Sequence, residues 1–280
     1  MRQYLRGPNM ADLTVVIVSF NTKDLTREAI DSVFKNDLGL NVDVVVVDNG
    51  SSDGSWEEVE KVRGQKLKLI RNDQNLGFAK AVNQGIRASP GKHVLLLNSD
   101  CKLKRGCLKR LFDFAETKKE AGVIGARLLD TNGKIQPSCY FFPTVLRAAK
   151  RYFGGRNEAD KYLPKGETPS EVDAVVFAAG LITRRALERV GLLDERYFMY
   201  FEDLDYARRV RRSGLKVYYL PQAEAVHHHG ASGKDIVDAA NQWRRLIPSS
   251  KTYHGALKHH LIVWIMWLGQ KWEKLLKKGV

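Results

Sequence analysis

The sequence predicts one large α/β domain with an open, mostly parallel sheet and helices on both faces. Three apolar runs, in LTVVIVSFN, VDVVVVD and HVLLLNSD, are typical of strands that are buried on both faces. Segments of helical period and short connections separate these runs, as in domains that alternate strands and helices. The 280 residues, 44% hydrophobic and 28% charged, are enough to form such a core.

The first half of the chain alternates regularly. A strand at 13–21 precedes a helix in TKDLTREAIDSVFKN, and a second buried strand covers 42–47. WEEVEKV predicts a helix and LKLIRN a short strand. FAKAVNQGIRAS predicts another helix, which Ser89-Pro90-Gly91 ends, and HVLLLNSD predicts the next strand.

The second half follows a different rhythm from about residue 122. VIGARLLDTNGKIQPS predicts a hairpin around Asn132-Gly133, and the charged segment 140–170 is expected to be an irregular, mobile loop. VDAVVFAAGLITRRALERVG predicts a strand and a helix. LDERYFMYFEDLDYARRVRRSG predicts a turn and a basic helix, and LKVYYLPQAEAVHHHGAS a last strand that ends in histidines.

The net charge of +14 favours anionic partners: nucleic acid, phosphorylated substrates or an anionic membrane surface. A merely solubilising surface explains the charge equally well. The cysteines, Cys101, Cys107 and Cys139, make no even disulfide framework and match no zinc spacing, which fits a reducing compartment. The polar N-terminus lacks the apolar core of a signal peptide, so no export is expected.

Polar side chains follow three of the predicted strands at the point where each strand ends. They are Ser19, Asn21, Asp48, Asn49, Asn98 and Asp100. Ligands of open α/β sheets bind beyond the carboxyl ends of the strands, so we expect these side chains to form one site.

Two of these carboxylates suggest specific chemistry. Asp100, two residues after Asn98, is placed to hold a divalent cation that bridges a diphosphate, because Mg²⁺ and Mn²⁺ prefer oxygen ligands. Asp48 is able to accept a hydrogen bond from the imide N–H of a uracil or thymine ring. Turn or cap roles are the alternative for both residues.

The segment RNDQNLGFAKAVNQG combines a tight loop with polar groups at the start of a helix: Asn75, Gly77, Lys80 and Asn83. Helix N-termini attract anions, and Lys80 adds positive charge. The spacing matches neither a phosphate loop nor the dinucleotide-binding glycine fingerprint, which disfavours an ATPase and a dehydrogenase.

A cluster of acids, Glu202, Asp203 and Asp205, lies at the predicted start of the basic helix. Adjacent carboxylates repel, so one pKa can rise to a value useful for a general base. Acids in a first helical turn also complement the helix dipole without any catalytic role. Downstream, His227 is a candidate metal ligand or part of a polar histidine cluster.

These motifs occur in one order, and in that order they resemble family 2 glycosyltransferases of the GT-A fold. The resemblance is strongest to the rhamnosyltransferase-like branch, which builds bacterial cell-surface polysaccharides. It covers 13–235 apart from the irregular 140–170 segment, with a nucleotide-binding half (13–121) and an acceptor or catalytic half (122–235). An N-terminal extension (1–12) and a C-terminal helical tail (236–280) flank it.

The resemblance implies an inverting transfer of a sugar from a nucleotide-diphosphate donor, dTDP-rhamnose or a UDP-sugar, to a hydroxyl of a glycan or lipid-linked acceptor. By this resemblance, Ser19 and Asn21 line the nucleotide pocket and Asp48 recognises the pyrimidine base. Asn75, Gly77 and Lys80 lie in the loop that contacts the nucleotide or its diphosphate.

The resemblance also implies which residues bind the metal and which residue is the catalytic base. Asn98-Ser99-Asp100 takes the place of the family's Asp-x-Asp motif, so Asp100 is the main acidic ligand of Mn²⁺ or Mg²⁺. Asp203 matches the catalytic base of the Glu-Asp motif, and Glu202 is assigned to substrate binding. His227 matches a downstream histidine that completes the metal site.

Other functions fit the sequence less well. A nucleotidyltransferase acting on sugar phosphates usually has a Gly-rich basic signature near its first strand, which VSFNTKD lacks. A nucleic-acid-binding module would explain the charge, but the basic residues are scattered or follow a helix and no binding motif occurs. Asp48, Asp100 and Asp203 are intact, which argues against a homologue that only binds.

The tail contains a predicted amphipathic helix within 257–280. One face carries Leu261, Trp264, Ile265, Leu268, Trp272, Leu275 and Leu276, and a second carries Lys271, Lys274 and Lys278. The apolar run is too short to span a bilayer, which takes about 20 residues. The helix is expected to lie in the membrane interface, or to pack on the domain or in a homodimer. The predicted location is cytoplasmic, with peripheral contact at the inner face of the plasma membrane.

Overall fold

The structure is a computed structural model, and it describes residues 10–36, 39–62, 66–89, 91–153, 161–228 and 242–278. Its strands are β1 (Leu13–Ser19), β2 (Val42–Asp48), β3 (Leu67–Arg71), β4 (His93–Asn98), β5 (Cys101–Leu103), β6 (Ala121–Leu129), β7 (Cys139–Tyr140), β8 (Lys161–Tyr162), β9 (Ser170–Val172), β10 (Ala174–Val175), β11 (Ala179–Ile182) and β12 (Lys216–His227). Its helices are α1 (Lys23–Phe34), α2 (Ser55–Glu60), α3 (Phe78–Ala88), α4 (Cys107–Thr117), α5 (Val145–Phe153), α6 (Arg184–Val190), α7 (Glu202–Arg212), α8 (Gln242–His254) and α9 (Ala256–Lys278).

The central sheet has the order β3-β2-β1-β4-β11-β6-β12-β5, and β9 also pairs with β12. The first four strands are parallel, and β11 is antiparallel to both of its neighbours. In register, Ser19 lies beside Asp48 and Val18 beside Asn98. The polar ends of β1, β2 and β4 therefore meet at one edge, as the sequence predicts.

Helices cover both faces of this sheet because successive strand residues point to opposite sides. Val15 and Ile17 pack on one face with residues of α1, α2 and α4. Val16 packs on the other face with residues of α3, α6 and α7. The predicted α/β class and the predicted helices on both faces are confirmed.

The prediction of an irregular loop at 140–170 is wrong for the described part of that segment. It contains α5 and the short strands β8 and β9, and β7, β8 and β10 form a separate antiparallel sheet. Helix α5 packs against α9 of the tail. This long-range contact stabilises a helix that was not predicted from the local charge pattern. Residues 154–160 lie outside the described residues.

The hairpin predicted around Asn132-Gly133 is present in a short form: the Asp130 N donates to the Lys134 O at 2.8 Å, and Leu129 and Ile135 form an antiparallel bridge. Another sequence prediction needs correction. The single strand predicted in VDAVVFAAGLI is two strands, β10 and β11, which belong to different sheets.

The helical tail is confirmed as α8 and α9. Helix α9 packs against α5 and α8. None of the described helices combines the length and the apolar character that crossing a bilayer requires. The predicted domain boundary at 235/236 and residues 1–9 of the N-terminal extension lie outside the described residues.

Candidate active site

Hydroxyl groups tie together the strand ends that form the floor of the site. The Ser19 Oγ lies 2.8 Å from the Thr26 Oγ1, and the Thr22 Oγ1 donates to the Ser99 Oγ at 2.9 Å. All four side chains are buried. Ser19 and Ser99 thus join β1, α1 and the end of β4, and their side chains hold the floor of the predicted pocket.

The turn after β2 is fixed by side chains on two loops. Asn21 has a left-handed backbone with φ 52°, and its Oδ1 accepts a hydrogen bond from the Ser52 N at 2.9 Å. The Asp48 Oδ2 accepts from the Ser51 N at 3.2 Å. Its Oδ1 is buried and has no hydrogen-bond partner among the described residues. A buried acceptor of this kind is costly unless a ligand donates to it.

The loop before α3 is held tightly against the segment that leads to the acid pair. The Asn75 Oδ1 accepts from the Gly77 N and the Asn49 Nδ2, both at 2.9 Å. Gly77 has φ 88°, and an added Cβ would lie 2.6 Å from the Phe198 carbonyl oxygen. The Phe78 N donates to that oxygen at 2.7 Å. Only glycine allows this approach.

Lys80 and Asn83, on the first turns of α3, have different surroundings. The Lys80 side chain is exposed. Asn83 is buried, its Nδ2 donates to the Leu193 O at 2.8 Å, and its Oδ1 accepts from the Leu193 N at 3.0 Å. The Asn83 amide therefore anchors the loop before α7 and offers nothing to an anion, whereas the Lys80 ammonium is open to solvent.

The predicted metal ligands come together although they are far apart in sequence. Strands β5 and β12 pair next to them, and the Asp100 Oδ1 lies 3.5 Å from the His227 Nε2. The Asp100 side chain is only 1% exposed. Asn98 ends β4, and its backbone N donates to the Ala178 O at 2.9 Å.

Gln136 orients the His227 ring, a role that the sequence analysis missed. Its Nε2 donates to the His227 carbonyl oxygen at 2.9 Å, which leaves its Oε1 as the acceptor 3.1 Å from the His227 Nδ1. The proton then belongs on Nδ1, so in the neutral ring the lone pair of Nε2 faces Asp100. Such partners fix the tautomer of metal-binding histidines.

This donor set fits a divalent cation. One carboxylate oxygen and one imidazole nitrogen suit Mn²⁺ or Mg²⁺, which commonly complete their shells with phosphate oxygens and water. The described residues contain no group of three or more His, Cys, Asp or Glu that could hold an ion. Asp100 and His227 would therefore supply two ligands.

The acid pair lies at the start of α7, directly after a strained turn. Tyr200 and Phe201 have φ 67° and 70°, a backbone conformation that residues other than glycine rarely adopt. The Asp203 Oδ1 accepts from the Leu204 N at 2.8 Å. Asp205, also considered from the sequence, instead binds Arg208 at 3.0 Å and Arg209 at 2.7 Å, so it is structural.

Burial separates the protonation of the two acids. Desolvation raises the pKa of Asp203 to about 6, and the Leu204 N–H and the charge of Lys161 oppose the rise. Desolvation, followed by the charge of Asp203, raises the pKa of Glu202 to about 8. Glu202 is partly exposed, but its Oε2 is buried without a partner among the described residues. The rise is larger for Glu202, so burial favours the protonated form of Glu202 more strongly than that of Asp203.

Lys161 is a second residue that the sequence analysis missed. It lies on β8 opposite Tyr140 of β7, with its Nζ 5.3 Å from the Tyr140 ring centroid. Its charge acts on Asp203, and burial lowers its own pKa. No local pattern pointed to Lys161, because its position beside α7 depends on the small sheet.

The α/β sheet with polar strand ends at one edge is the arrangement that the resemblance to glycosyltransferases of the GT-A fold predicts. The model of the family described as glycosyl transferase family 2 matches residues 14–161. The protein belongs to this family, as the order of its motifs predicts.

Curated relatives extend the match over most of the chain. The N-acetylglucosaminyl-diphospho-decaprenol L-rhamnosyltransferase of Mycobacterium tuberculosis is 31% identical over 259 residues, covering 79% of this chain and 83% of the relative. The dTDP-rhamnosyl transferase RfbF of Shigella flexneri is 24% identical over 223 residues, covering 79% and 70%. Both support the resemblance to the rhamnosyltransferase-like branch.

Solved structures confirm the fold. GalNAc-T7 with UDP, GalNAc and Mn²⁺ aligns with a TM-score of 0.61 at 15% identity, over 79% of this chain and 44% of that one. Residues 1–349 of S. aureus TarS in complex with UDP align with a TM-score of 0.57 at 18% identity, over 91% and 69%.

Proposed function

We propose that the enzyme moves a sugar from dTDP-rhamnose or a UDP-sugar to a hydroxyl of a glycan or lipid-linked acceptor in cell-surface polysaccharide synthesis, with inversion at the anomeric carbon. The observation that carries the proposal is that two separate acidic residues suit two different chemical tasks. Asp100 beside His227 suits a diphosphate-bound cation, and Asp203 suits proton removal. The two rhamnosyltransferase relatives support rhamnose as the donor sugar.

Asp48 is proposed to recognise the base of the donor. A uracil or thymine imide N–H would donate to the buried Oδ1 that has no partner among the described residues. Ser19 and Asn21 shape the pocket floor and wall through their own hydrogen bonds. The Asn75–Gly77 loop and Lys80 would face the nucleotide or its diphosphate.

Asp203 is proposed to remove the proton of the acceptor hydroxyl as that oxygen attacks the anomeric carbon from the side opposite the diphosphate. The bond to the diphosphate oxygen breaks as the new glycosidic bond forms, so no covalent enzyme intermediate is needed. Protonated Glu202 is able to donate a hydrogen bond to the substrate, which agrees with its predicted binding role. Asp100 and His227 would hold Mn²⁺ or Mg²⁺, which supplies Lewis-acid stabilisation of the leaving diphosphate.

The proposed location of the enzyme is the cytoplasm, at the inner face of the plasma membrane, where a lipid-linked acceptor would be available. The acceptor class agrees with the name of the mycobacterial relative, a transferase acting on a diphospho-decaprenol. Peripheral contact through 257–280 is part of this proposal.

A thermal-shift screen of nucleotide diphosphates and their sugars, with Mn²⁺ or Mg²⁺, tests the donor site. dTDP, UDP or their sugars should raise the Tm, and Asp48→Ala should abolish the shift. Asp113→Ala, which removes an exposed acid paired with Lys109, should behave as the wild type. If no nucleotide diphosphate stabilises the protein, the proposal fails.

A further inference from the structure

Helices α5 and α9, which pack against each other, expose large apolar side chains. On α9 these are Leu257, Leu261, Val263, Trp264, Trp267 and Trp272, and on α5 they are Leu146 and Phe153. Leu257 is 84% exposed and Leu146 is 64% exposed. We call these eight side chains the α5–α9 face. Apolar side chains grouped in this way mark an interaction surface more often than chance exposure does.

The opposite side of α9 holds the helix on the protein. His259 and Gly269 are buried, and Ile262 and Met266 are partly buried. The His259 Nδ1 lies 2.8 Å from the Ser250 Oγ of α8. The helix is therefore seated through one side while its tryptophans point outward, so packing on the described domain does not cover them.

Positive charge accompanies the α5–α9 face. Helices α5 and α9 together contain eight lysines and arginines and a single acid, Glu273. Lys150, Lys258 and Lys271 are exposed. The Lys271 Nζ lies 3.9 Å from the Trp267 ring centroid, so positive charge lies directly beside an exposed tryptophan. Tryptophan mixed with lysine is the composition of helices that lie in an anionic membrane interface.

We propose that the α5–α9 face docks on an anionic lipid bilayer, with the tryptophans among the headgroups and Lys150, Lys258 and Lys271 against their phosphates. The charge complementarity of the face favours this partner over a second copy of the chain, which would bring an equally basic surface. The proposal extends the predicted contact of 257–280 to α5. It rests on the proposed function in one respect: a lipid-linked acceptor explains why the enzyme would bind a membrane.

Docking through this face would also orient the active site. Helix α5 begins five residues after Tyr140 of β7, and β7 pairs with β8, whose Lys161 acts on Asp203. A bilayer against α5 would therefore contact an element that is joined through the small sheet to the surroundings of the base.

Vesicle flotation of the full chain tests the proposal without any sugar donor. The protein should float with vesicles of equal parts phosphatidylcholine and phosphatidylglycerol, but not with phosphatidylcholine alone. The triple change Lys150→Gln, Lys258→Gln and Lys271→Gln should weaken partitioning on the order of a hundredfold, since each charge contributes about tenfold or less. The matched triple change Lys61→Gln, Lys66→Gln and Lys119→Gln, outside both helices, should weaken it far less.

Quenching by brominated lipids adds a direct readout of the tryptophans. The wild type should be quenched, and Trp264→Ser with Trp267→Ser should lose most of the quenching while keeping the nucleotide-induced thermal shift. Equal loss in the two lysine triples, or absence of flotation with the anionic vesicles, would overturn the proposal. If the Trp264→Ser, Trp267→Ser variant dissociates a dimer and the wild type does not float, the face instead binds a second copy.

The two proposals fail separately. Flotation uses no donor, so an inactive transferase still reports on docking. Transfer to a soluble acceptor uses no membrane, so a protein that never floats still reports on the proposed function.

Discussion

At the scale of single residues, the two acids of α7 show how burial assigns roles to chemically similar groups. Glu202 and Asp203 are adjacent in sequence, yet burial raises the pKa of Glu202 to about 8 and that of Asp203 only to about 6. Lys161 and the Leu204 N–H stabilise the ionised form of Asp203. A general base must be ionised near neutral pH and still be basic enough to accept a proton, and Asp203 meets this description.

Asp203→Asn should reduce kcat by about a hundredfold or more, because the amide cannot accept the acceptor proton. Donor binding should persist, since Asp203 does not hold the nucleotide in the proposed mechanism. In the wild type kcat should fall as pH drops through about 6, where Asp203 gains its proton. Calorimetric titration with UDP and a pH profile of transfer measure both. Near-normal turnover of the variant would contradict the assignment of the base.

Glu202 should also affect stability in a pH-dependent way. Its pKa in the folded protein, about 8, lies above the ordinary value of 4.5, so the folded state binds more protons between these two pH values. Folding stability is therefore lost as pH rises through this window. Glu202→Gln should remove most of this loss. Chemical denaturation below pH ~5 and above pH ~8 measures it, and equal pH dependence in variant and wild type would count against the buried, protonated Glu202.

Gln136→Leu should weaken activation by Mn²⁺ about 10- to 100-fold, because the imidazole of His227 loses the partner that fixes its tautomer. At saturating Mn²⁺ kcat should be close to that of the wild type. Gln222→Leu, a change of another glutamine, this one on β12 itself, is the matched control. If both variants have the metal dependence of the wild type, Gln136 does not orient a metal ligand.

Gly77→Ala tests the close approach between the nucleotide loop and the segment before α7. The added Cβ would lie 2.6 Å from the Phe198 oxygen. Gly133→Ala is a matched control, because Gly133 has a similar φ of 80° but open space around it. Both changes cost about 1 kcal/mol for the left-handed backbone, and only Gly77→Ala should lower the Tm further and weaken UDP binding. Equal losses in the two variants would show that the contact is unimportant.

At the scale of secondary-structure elements, α8 supports the strained turn that carries the acid pair. The Ser249 Oγ donates to the Met199 O at 2.8 Å, and the Tyr253 ring lies 5.4 Å from that of Phe201. The Arg208 guanidinium of α7 stacks on Tyr253 at 3.9 Å. Left-handed residues such as Tyr200 and Phe201 persist only where surrounding contacts hold them. Helix α8 supplies such contacts from the far end of the chain.

Ser249→Ala should therefore lower kcat more than it lowers donor affinity. The lost hydrogen bond costs about 1 kcal/mol of stability, and the turn before Glu202 becomes less restrained. Thr252→Ala is the control, because the Thr252 Oγ1 donates to the Pro248 O of its own helix. Steady-state kinetics with separate UDP calorimetry distinguish the two effects. Equal losses of kcat and donor affinity would contradict the proposal that Ser249 restrains the turn before Glu202.

At the scale of the whole molecule, the order of motifs predicted the sheet, its flanking helices and the meeting of Asp48, Asn98 and Asp100 at one edge. These features follow from local rules: buried runs form strands, and parallel strands share a carboxyl edge. The pairing of Asp100 with His227 came from the resemblance, and their positions in the structure agree with it. Gln136, Lys161 and α5 were missed, because each depends on a neighbour that is distant in sequence.

The sequence by itself determined the family, the sheet and the types of residue at the strand ends, because hydrophobic period and motif order are local properties of the chain. Tertiary structure alone decided which acid of α7 stays ionised, which ring nitrogen of His227 faces Asp100, and that α9 exposes its tryptophans beside α5. The physical reason is that desolvation, hydrogen-bond partners and exposure depend on groups brought together by folding across long sequence separations.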